Sequence, residues 1–556
     1  MSANLAHLLA RALAAPGRAP WRHWTGAHWQ DVTAAEVAGR AAQWQAAFRR
    51  EGYAAGDRVA LCVRNGVQWV ALDQAALGLG LVVVPLYVDD NPDNIAWCAT
   101  HAEARLLVVD GSRMAEALRK LAGQYALPPI VVLRADADEP GTPAERFVPA
   151  ADRPFEVREV TGDTLATICF TSGTSGRPKG VMLSHRNIGA NVEGCIATGM
   201  ARASDRFLSI LPLSHMFERT GGYYLPLAIG AQVAFARGVA QLPDDLVSQR
   251  PTAMFAVPRI FEKFALRIDQ ALAGAPRKRR LFDATVARGW RVEQGRARLA
   301  DRLLLRALRR LVARPVLARL GGRMRLVVVG GAALDPALAR TFIGLGLPML
   351  QGYGMTEASP VISVNRLSDN EPDTVGRPLD GVEVRIAKSG ELLARGENVM
   401  LGYWRNDEAT RAAIDADGWL HTGDVAEFRD ERIVIRGRVK DILVMSNGEK
   451  LPPQDVEFAI LHDPVFEQAM LVGEGKPYVV LLAVSQETDE KALLRRANER
   501  LRDFPRWMRV RRVVATREPW SVDNGLLTPT LKLKRPMLLA RFKDRIDAAY
   551  ASAAPE

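Results

Sequence analysis

An apolar segment, Thr164-Leu165-Ala166-Thr167-Ile168-Cys169-Phe170, runs straight into Thr171-Ser172-Gly173-Thr174-Ser175-Gly176-Arg177-Pro178-Lys179-Gly180. A second apolar run at 181–183 follows, and Ser184 then reads as the N-cap of a helix. The loop between the two strands suits phosphate. Its glycines let backbone N–H groups approach an anion, its hydroxyls donate hydrogen bonds, and Lys179 supplies a point charge. It is not a Walker A loop: counting from Gly173, the spacing G-x-x-x-x-G-K is absent, and a strand rather than a helix follows.

Strand and helix continue to alternate away from this loop in both directions, as in α/β sheets. Downstream, Leu326 to Val329 reads as a strand and Gly330-Gly331 as a turn. Asp335-Pro336 is a helix start with cap and N1 proline in the favoured order. Residues 348–350 enter Gln351-Gly352-Tyr353-Gly354-Met355-Thr356-Glu357, which does not complete G-x-G-x-x-G because Glu357 takes the last place. Upstream, Thr33 with Glu36 reads as a capping box opening a helix through about Arg50, and 58–63 and 81–85 read as buried strands. Six of the eleven tryptophans precede residue 100, where filling a core accounts for them. After about Pro372 helices are expected to stop, and short strands at 382–386, 391–394 and 432–435 suggest a small barrel-like part. Beyond Arg438 the pattern turns mixed, with a helix from Asp455, strands near Ala469 and Val479, and a charged helix near 488–502.

The chain has 556 residues, enough for three or four units at about 150 residues each. With 48% apolar and 25% charged residues it is neither disordered nor fibrous. Cys62, Cys98, Cys169 and Cys195 show no C-x-x-C spacing and no clustered histidines, which argues against structural zinc and for a reducing compartment. No apolar run approaches the ~18 to 20 residues that cross a bilayer. Residues 5–15 are broken by His7 and Arg11 and read as a short amphipathic helix, not a signal peptide. A cytoplasmic location is expected, with peripheral contact at the inner face of the membrane as a further option.

The net charge of +11 is concentrated in one segment. Residues 277–325 hold 16 Lys or Arg against Asp283, Glu293 and Asp301, a local +13 that leaves about −2 for everything else. Within it Leu299, Leu303, Leu304, Leu308, Leu311 and Val312 recur at helical spacing, while Arg302, Arg306, Arg309, Arg310 and Arg314 take other positions. The expectation is a helix packed on its leucine face with a solvated arginine face. Contact with an anionic membrane or an acidic partner is the alternative. Nucleic acid is disfavoured, because interleaved aromatics, zinc spacing and an RNP-like strand are all missing.

Lysine supplies only 12 of the 74 basic residues, yet Lys179, Lys440, Lys532 and Lys534 fall in the most punctuated stretches. In their order these motifs resemble the adenylate-forming superfamily of acyl-CoA synthetases, luciferases and peptide-synthetase adenylation domains. Residues 171–180 are similar to its phosphate loop and 351–357 to its adenine and magnesium motif. Gly418-Trp419-Leu420-His421-Thr422-Gly423-Asp424 is similar to its ribose motif, and Arg436-Gly437-Arg438-Val439-Lys440-Asp441 to its hinge. Leu211-Pro212-Leu213-Ser214-His215-Met216-Phe217-Glu218-Arg219 and residues 527–535 look most like long-chain fatty acyl-CoA synthetases. The tail lacks the Ser-Gly-Lys of shorter-chain relatives, so Lys532 is placed by the surrounding Thr-Pro-Thr pattern.

The resemblance implies an α/β fold. Residues 1–438 would form a large N-terminal domain of two αβ-layered subdomains plus a distorted β-barrel at about 372–438, and 439–556 a small mobile α+β domain turning about Lys440. It implies that Thr171, Ser172, Thr174 and Lys179 hold phosphates, with Gly173, Ser175 and Gly176 completing the loop. Tyr353 would stack on adenine, with Gly331, Ala332, Gly352 and Gly354 allowing close approach. Asp424 would bind ribose hydroxyls with help from Arg438, and Glu357 with Thr174 would bind Mg²⁺. Thr356 would donate to the α-phosphate, Lys532 would act at the reacting centre, and His215 would position the acyl substrate. The implied reaction consumes ATP and coenzyme A with Mg²⁺ and converts a long-chain fatty acid to acyl-CoA, AMP and pyrophosphate. A fatty acyl-AMP ligase that passes the acyl group to a carrier protein is the alternative, and homodimerisation stays open.

Overall fold

The structure, a computed structural model, describes residues 4–15, 19–134, 142–171, 177–439, 441–446, 449–521, 524–527 and 533–551. Its larger part is built on two mostly parallel sheets. The first orders its strands Gly402–Tyr403, Lys179–Ser184, Leu165–Thr171, Val82–Pro85, Arg58–Cys62, Ala104–Gly111, Ile130–Arg134 and Thr142–Pro143. They run parallel from Leu165–Thr171 to the far edge, whereas Leu165–Thr171 and Lys179–Ser184 form an antiparallel hairpin. The second sheet orders Arg377–Pro378, Val361–Val364, Met349–Gly354, Leu326–Val329, Ala253–Ala256, Arg206–Ser209, Gln232–Phe235, Trp21–Trp24 and Trp29–Val32. Val82–Pro85 and Leu326–Val329 are buried at every position, as parallel strands covered on both faces require.

One apolar cluster joins the sheets, with Leu61 and Val83 from the first, Phe207 and Val328 from the second, and the fully buried Trp69 and Tyr223 in the same cluster. Inside it lies a buried ion pair of Arg219 with Asp73. The hydroxyls of Tyr223 and Tyr224 each donate to Asp73 Oδ2 at 3.0 Å, and Arg219 also donates to Thr167 Oγ1 at 2.8 Å, on the first strand of the Leu165–Ser184 hairpin. Such a pair is tolerated only when its remaining groups are hydrogen-bonded, as here.

Local chemistry sets the helix starts. Glu36 N donates to the Thr33 hydroxyl at 3.2 Å and Thr33 N to the Glu36 carboxylate at 2.7 Å, opening Ala34–Arg50 as expected. Ser184 with Asn187 opens His185–Ala197, and Asp335 accepts from Ala337 N at 2.9 Å to open Pro336–Leu345.

Past the second sheet, Val382–Ile386, Glu391–Gly396, Leu420–Arg429 and Arg432–Arg438 form an antiparallel half-barrel. Helices do not stop there, contrary to expectation. Asp407–Ala413 is helical, capped by Asn406, and buries none of its seven residues, so it carries no apolar stripe from which to read it. The smaller C-terminal domain packs Pro453–Leu461 and Glu490–Arg500 near a sheet of Gln468–Val472, Val479–Val484 and Val510–Thr516.

A second correction concerns the basic segment. It folds as Leu299–Leu308, a wider π turn Arg309–Ala313 and Arg314–Ala318. Leu305, Leu308 and Ala313 are buried, but Leu299, Leu303, Leu304 and Leu311 are exposed. The segment packs along one side only, beside the helix Pro276–Glu293, where Arg291 donates to Asp301 at 2.8 Å. Four of the six apolar positions expected to define a packed face therefore meet solvent.

Candidate active site

Thr171 ends one strand of the hairpin and Lys179 begins the next, and the antiparallel register sets them directly opposite each other. Ser172, Gly173, Thr174, Ser175 and Gly176, like Lys440 and Lys532, lie outside the described residues. Arg177 is turned to the flank, donating to Asp93 at 2.7 Å and to the Tyr125 hydroxyl at 3.1 Å beside the Trp97 ring. Lys179 takes another direction. Its ammonium lies 4.9 Å from the centre of the Tyr403 ring, and the Tyr403 hydroxyl donates to Glu357 Oε1 at 2.8 Å. One aromatic side chain thus links the loop cation to the carboxylate of the 351–357 motif. Burial first, then the Glu357 charge, pushes the Tyr403 phenol well above its ordinary pKa, so it stays a donor.

Tyr403 was not among the expected site residues. Its place depends on a two-residue edge strand, Gly402–Tyr403, pairing with Val181 and Met182. The signal in the sequence is Gly402 itself: at φ +136° it sits where a Cβ would come within 2.7 Å of Thr410. Such a glycine marks a forced close approach, but not what the neighbouring tyrosine touches.

A second cluster forms where the half-barrel meets the second sheet. The Tyr353 hydroxyl donates to Asp424 Oδ2 at 2.6 Å, and Arg438 Nε lies 3.1 Å from Asp424 Oδ1. Asp424 and Arg438 are directly opposed in register on adjacent strands. Burial, followed by the Asp424 charge, keeps the Tyr353 phenol protonated. The structure thus brings together three residues that the sequence spreads over three motifs. Gly354 could be nothing larger, because a Cβ there would fall 1.8 Å from the Pro360 carbonyl oxygen. Thr356 opens the short turn Thr356–Ala358 that carries the buried Glu357, and Ala332 is exposed just past the Leu326–Val329 strand.

An apolar cavity of about 60 Å³ adjoins this cluster. Gly331, Gly352 and Tyr353 line it together with His215, Phe217 and Phe255. His215 Nδ1 accepts from Phe217 N at 3.2 Å, capping a short turn, which suits positioning better than proton transfer. At the end of that turn the Glu218 carboxyl is fully buried, and burial pushes its pKa up to about 8.

The profile of the family described as AMP-binding enzyme matches residues 10–404, and that of the AMP-binding enzyme C-terminal domain matches residues 440–554. The chain is an AMP-binding enzyme. This AMP-binding enzyme is 32% identical to the long-chain-fatty-acid–CoA ligase FadD15 of Mycobacterium bovis, over 94% of this chain and 92% of that one. It is 26% identical to the long-chain-fatty-acid–[acyl-carrier-protein] ligase AEE15, chloroplastic, of Arabidopsis thaliana, over 90% and 80%. Its fold matches ATP-bound MatB from Rhodopseudomonas palustris with a TM-score of 0.77 at 22% identity, covering 98% of this chain and 100% of that one.

Proposed function

We propose that this AMP-binding enzyme activates a long-chain fatty acid with ATP and transfers the acyl group to coenzyme A. The observation that carries the reading is the junction of the apolar cavity with the Tyr353–Asp424–Arg438 cluster, which would set an acyl chain end-on to a nucleotide bound there. The name of the FadD15 relative supports the same substrate class.

In the first step a carboxylate oxygen of the fatty acid attacks the α-phosphorus, the bond to pyrophosphate breaks, and an acyl-adenylate mixed anhydride remains. No side-chain nucleophile is required. The barrier lies in bringing an anion onto an anionic phosphate, so positioning and charge neutralisation carry the catalysis. Asp424 accepts from the ribose hydroxyls, Thr171 and Lys179 with Ser172 and Thr174 hold the outer phosphates, and Thr356 donates to the α-phosphate. Lys532 neutralises charge at the reacting oxygens. In the second step the coenzyme A thiolate attacks the acyl carbon, the acyl C–O bond breaks and AMP leaves.

Glu357 fits Mg²⁺. It is a buried carboxylate already oriented by Tyr403, and among the described residues no cluster of three acidic, histidine or cysteine side chains could hold a metal. Mg²⁺ is bound in this manner, by one or two carboxylates plus waters and phosphates, and when present it would neutralise phosphate charge. Residues 439–556 turn about Lys440 between the two steps. The basic segment 277–325 makes peripheral contact with an anionic membrane surface, where long-chain acids partition.

Pyrophosphate release measured over acids of graded length tests the substrate. Activity should rise by several-fold per methylene, at about 0.8 kcal/mol each, until the cavity is full. A preference for acetate or an aromatic acid would overturn it. Acyl transfer to a carrier protein but not to coenzyme A would favour the other acceptor. Lys532→Ala should cut adenylate formation by about 10²-fold while leaving thioester formation from supplied acyl-AMP intact.

A further inference from the structure

Four leucines of the basic segment have no covering element among the described residues: Leu299, Leu303, Leu304 and Leu311 are 74%, 58%, 46% and 74% exposed. Single exposed leucines need no explanation, but four within one short stretch form a patch that does. Their spacing is ordered. Leu299, Leu303, Ala307 and Leu311 follow an i, i+4 ridge, and Arg302, Arg306, Arg310 and Arg314 follow a parallel ridge one residue away. These four arginines are exposed, and among the described residues none of them joins an ion pair. Two of the segment's three acids are engaged elsewhere: Asp283 pairs with Arg279, and Asp301 pairs with Arg288 and Arg291 on the inner helix, which leaves the exposed Glu293 as the one acid without an ion pair among the described residues. The outward side thus carries cations and leucines together.

We infer that this ridge is a membrane-insertion surface. The leucines enter the headgroup–acyl boundary of an anionic bilayer while the arginines bind lipid phosphates. Guanidinium forks match phosphate oxygens, and their aliphatic stems cover apolar surface beside the leucines. A nucleic acid duplex matches the charge but offers the leucines nothing, whereas an interfacial helix needs both stripes. The inference rests on the peripheral contact of the basic segment and adds insertion to it. It also places the enzyme where a long-chain acid is concentrated, before any step of the chemistry.

Flotation of the full chain with phosphatidylcholine vesicles containing about one third phosphatidylglycerol, at low and at raised salt, tests both layers. Wild type should bind these vesicles and not pure phosphatidylcholine. Leu303→Ser with Leu311→Ser should weaken binding by roughly ten-fold per side chain, and most visibly at raised salt. Leu311→Trp should show a blue-shifted difference emission quenched by brominated acyl chains. All substituted side chains are exposed, so unchanged pyrophosphate release with acid presented in detergent controls for folding. Loss of binding in Arg306→Ala with Arg310→Ala but not in the leucine pair would leave the contact standing and overturn insertion. Absence of binding by wild type would overturn both. Equal affinity for polyglutamate, unmoved by the leucine pair, would assign the patch to an acidic protein instead.

Discussion

The Tyr403 hydroxyl donates to Glu357 while its ring carries the Lys179 ammonium, so one side chain fixes two charged groups that lie far apart in the chain. A hydrogen bond to a charged group contributes about 1.5 to 3 kcal/mol. Tyr403→Phe keeps the ring and loses only the bond, so pyrophosphate release should slow by roughly ten-fold or more and the Mg²⁺ requirement should rise. An unchanged rate across a Mg²⁺ titration would reduce Tyr403 to packing. Glu218 makes a different forecast. Its folded pKa of about 8 lies above the unfolded 4.5, so the folded state holds the extra proton. Its contribution to stability is therefore full below about 4.5 and is lost progressively as pH rises toward 8. The unfolding free energy of wild type, read from denaturant titrations, should fall across that window by an amount on the order of 3 to 5 kcal/mol, and Glu218→Gln should flatten the fall. Parallel pH profiles for the two proteins would rule out this account.

Among elements, the π turn Arg219–Tyr224 shows how local geometry serves a buried network. An i→i+5 turn aligns residues five apart, and Arg219 Nε donates to the Tyr224 hydroxyl at 3.0 Å while both groups reach Asp73. Arg219→Met would strand Asp73 as an unpaired buried charge and should destabilise by about 3 to 5 kcal/mol. Adding Asp73→Asn removes that charge and should recover part of the loss in urea unfolding, a coupling that independent sites would not show. Elements set by their own residues were legible in the sequence. Thr33 with Glu36 announces Ala34–Arg50, and four consecutive apolar residues announce Leu326–Val329. The edge strand Gly402–Tyr403 and the helix Asp407–Ala413 were not, because a tertiary partner makes the first and a cap without an apolar face makes the second. The site divides the same way. Tyr353, Asp424 and Arg438 could be read from motifs, but their convergence on one carboxylate is a product of strand register. The leucine face was misread for the converse reason: spacing reports a stripe, and only the neighbouring helix decides which side of it is covered.

At the scale of the whole molecule, the two domains meet through a titratable contact. His462, ending the helix Pro453–Leu461, lies with Nε2 2.7 Å from Asp335 Oδ2, and Asp335 simultaneously caps Pro336–Leu345. The hydrogen bond to Asp335 raises the imidazole pKa above 6.5, against burial and the Arg500 charge. Burial works to raise the Asp335 pKa, but His462 and the Ala337 and Leu338 backbone donors outweigh it and hold the carboxyl below its ordinary value, so it stays ionised near neutrality. Protonated His462 therefore favours this arrangement of the domains. The contribution is full below about 6.5 and fades as pH rises through the higher value reached in the contact. The proposed turn of residues 439–556 between the two steps would take the C-terminal domain out of this contact, so the balance of poses should shift with pH. Energy transfer between dyes on the two domains should change between about pH 6 and pH 8 in wild type. His462→Gln retains a donor to Asp335 but cannot titrate, so its signal should be flat over that range. A wild-type signal that does not move, or a variant that moves equally, would show that His462 does not set the domain arrangement.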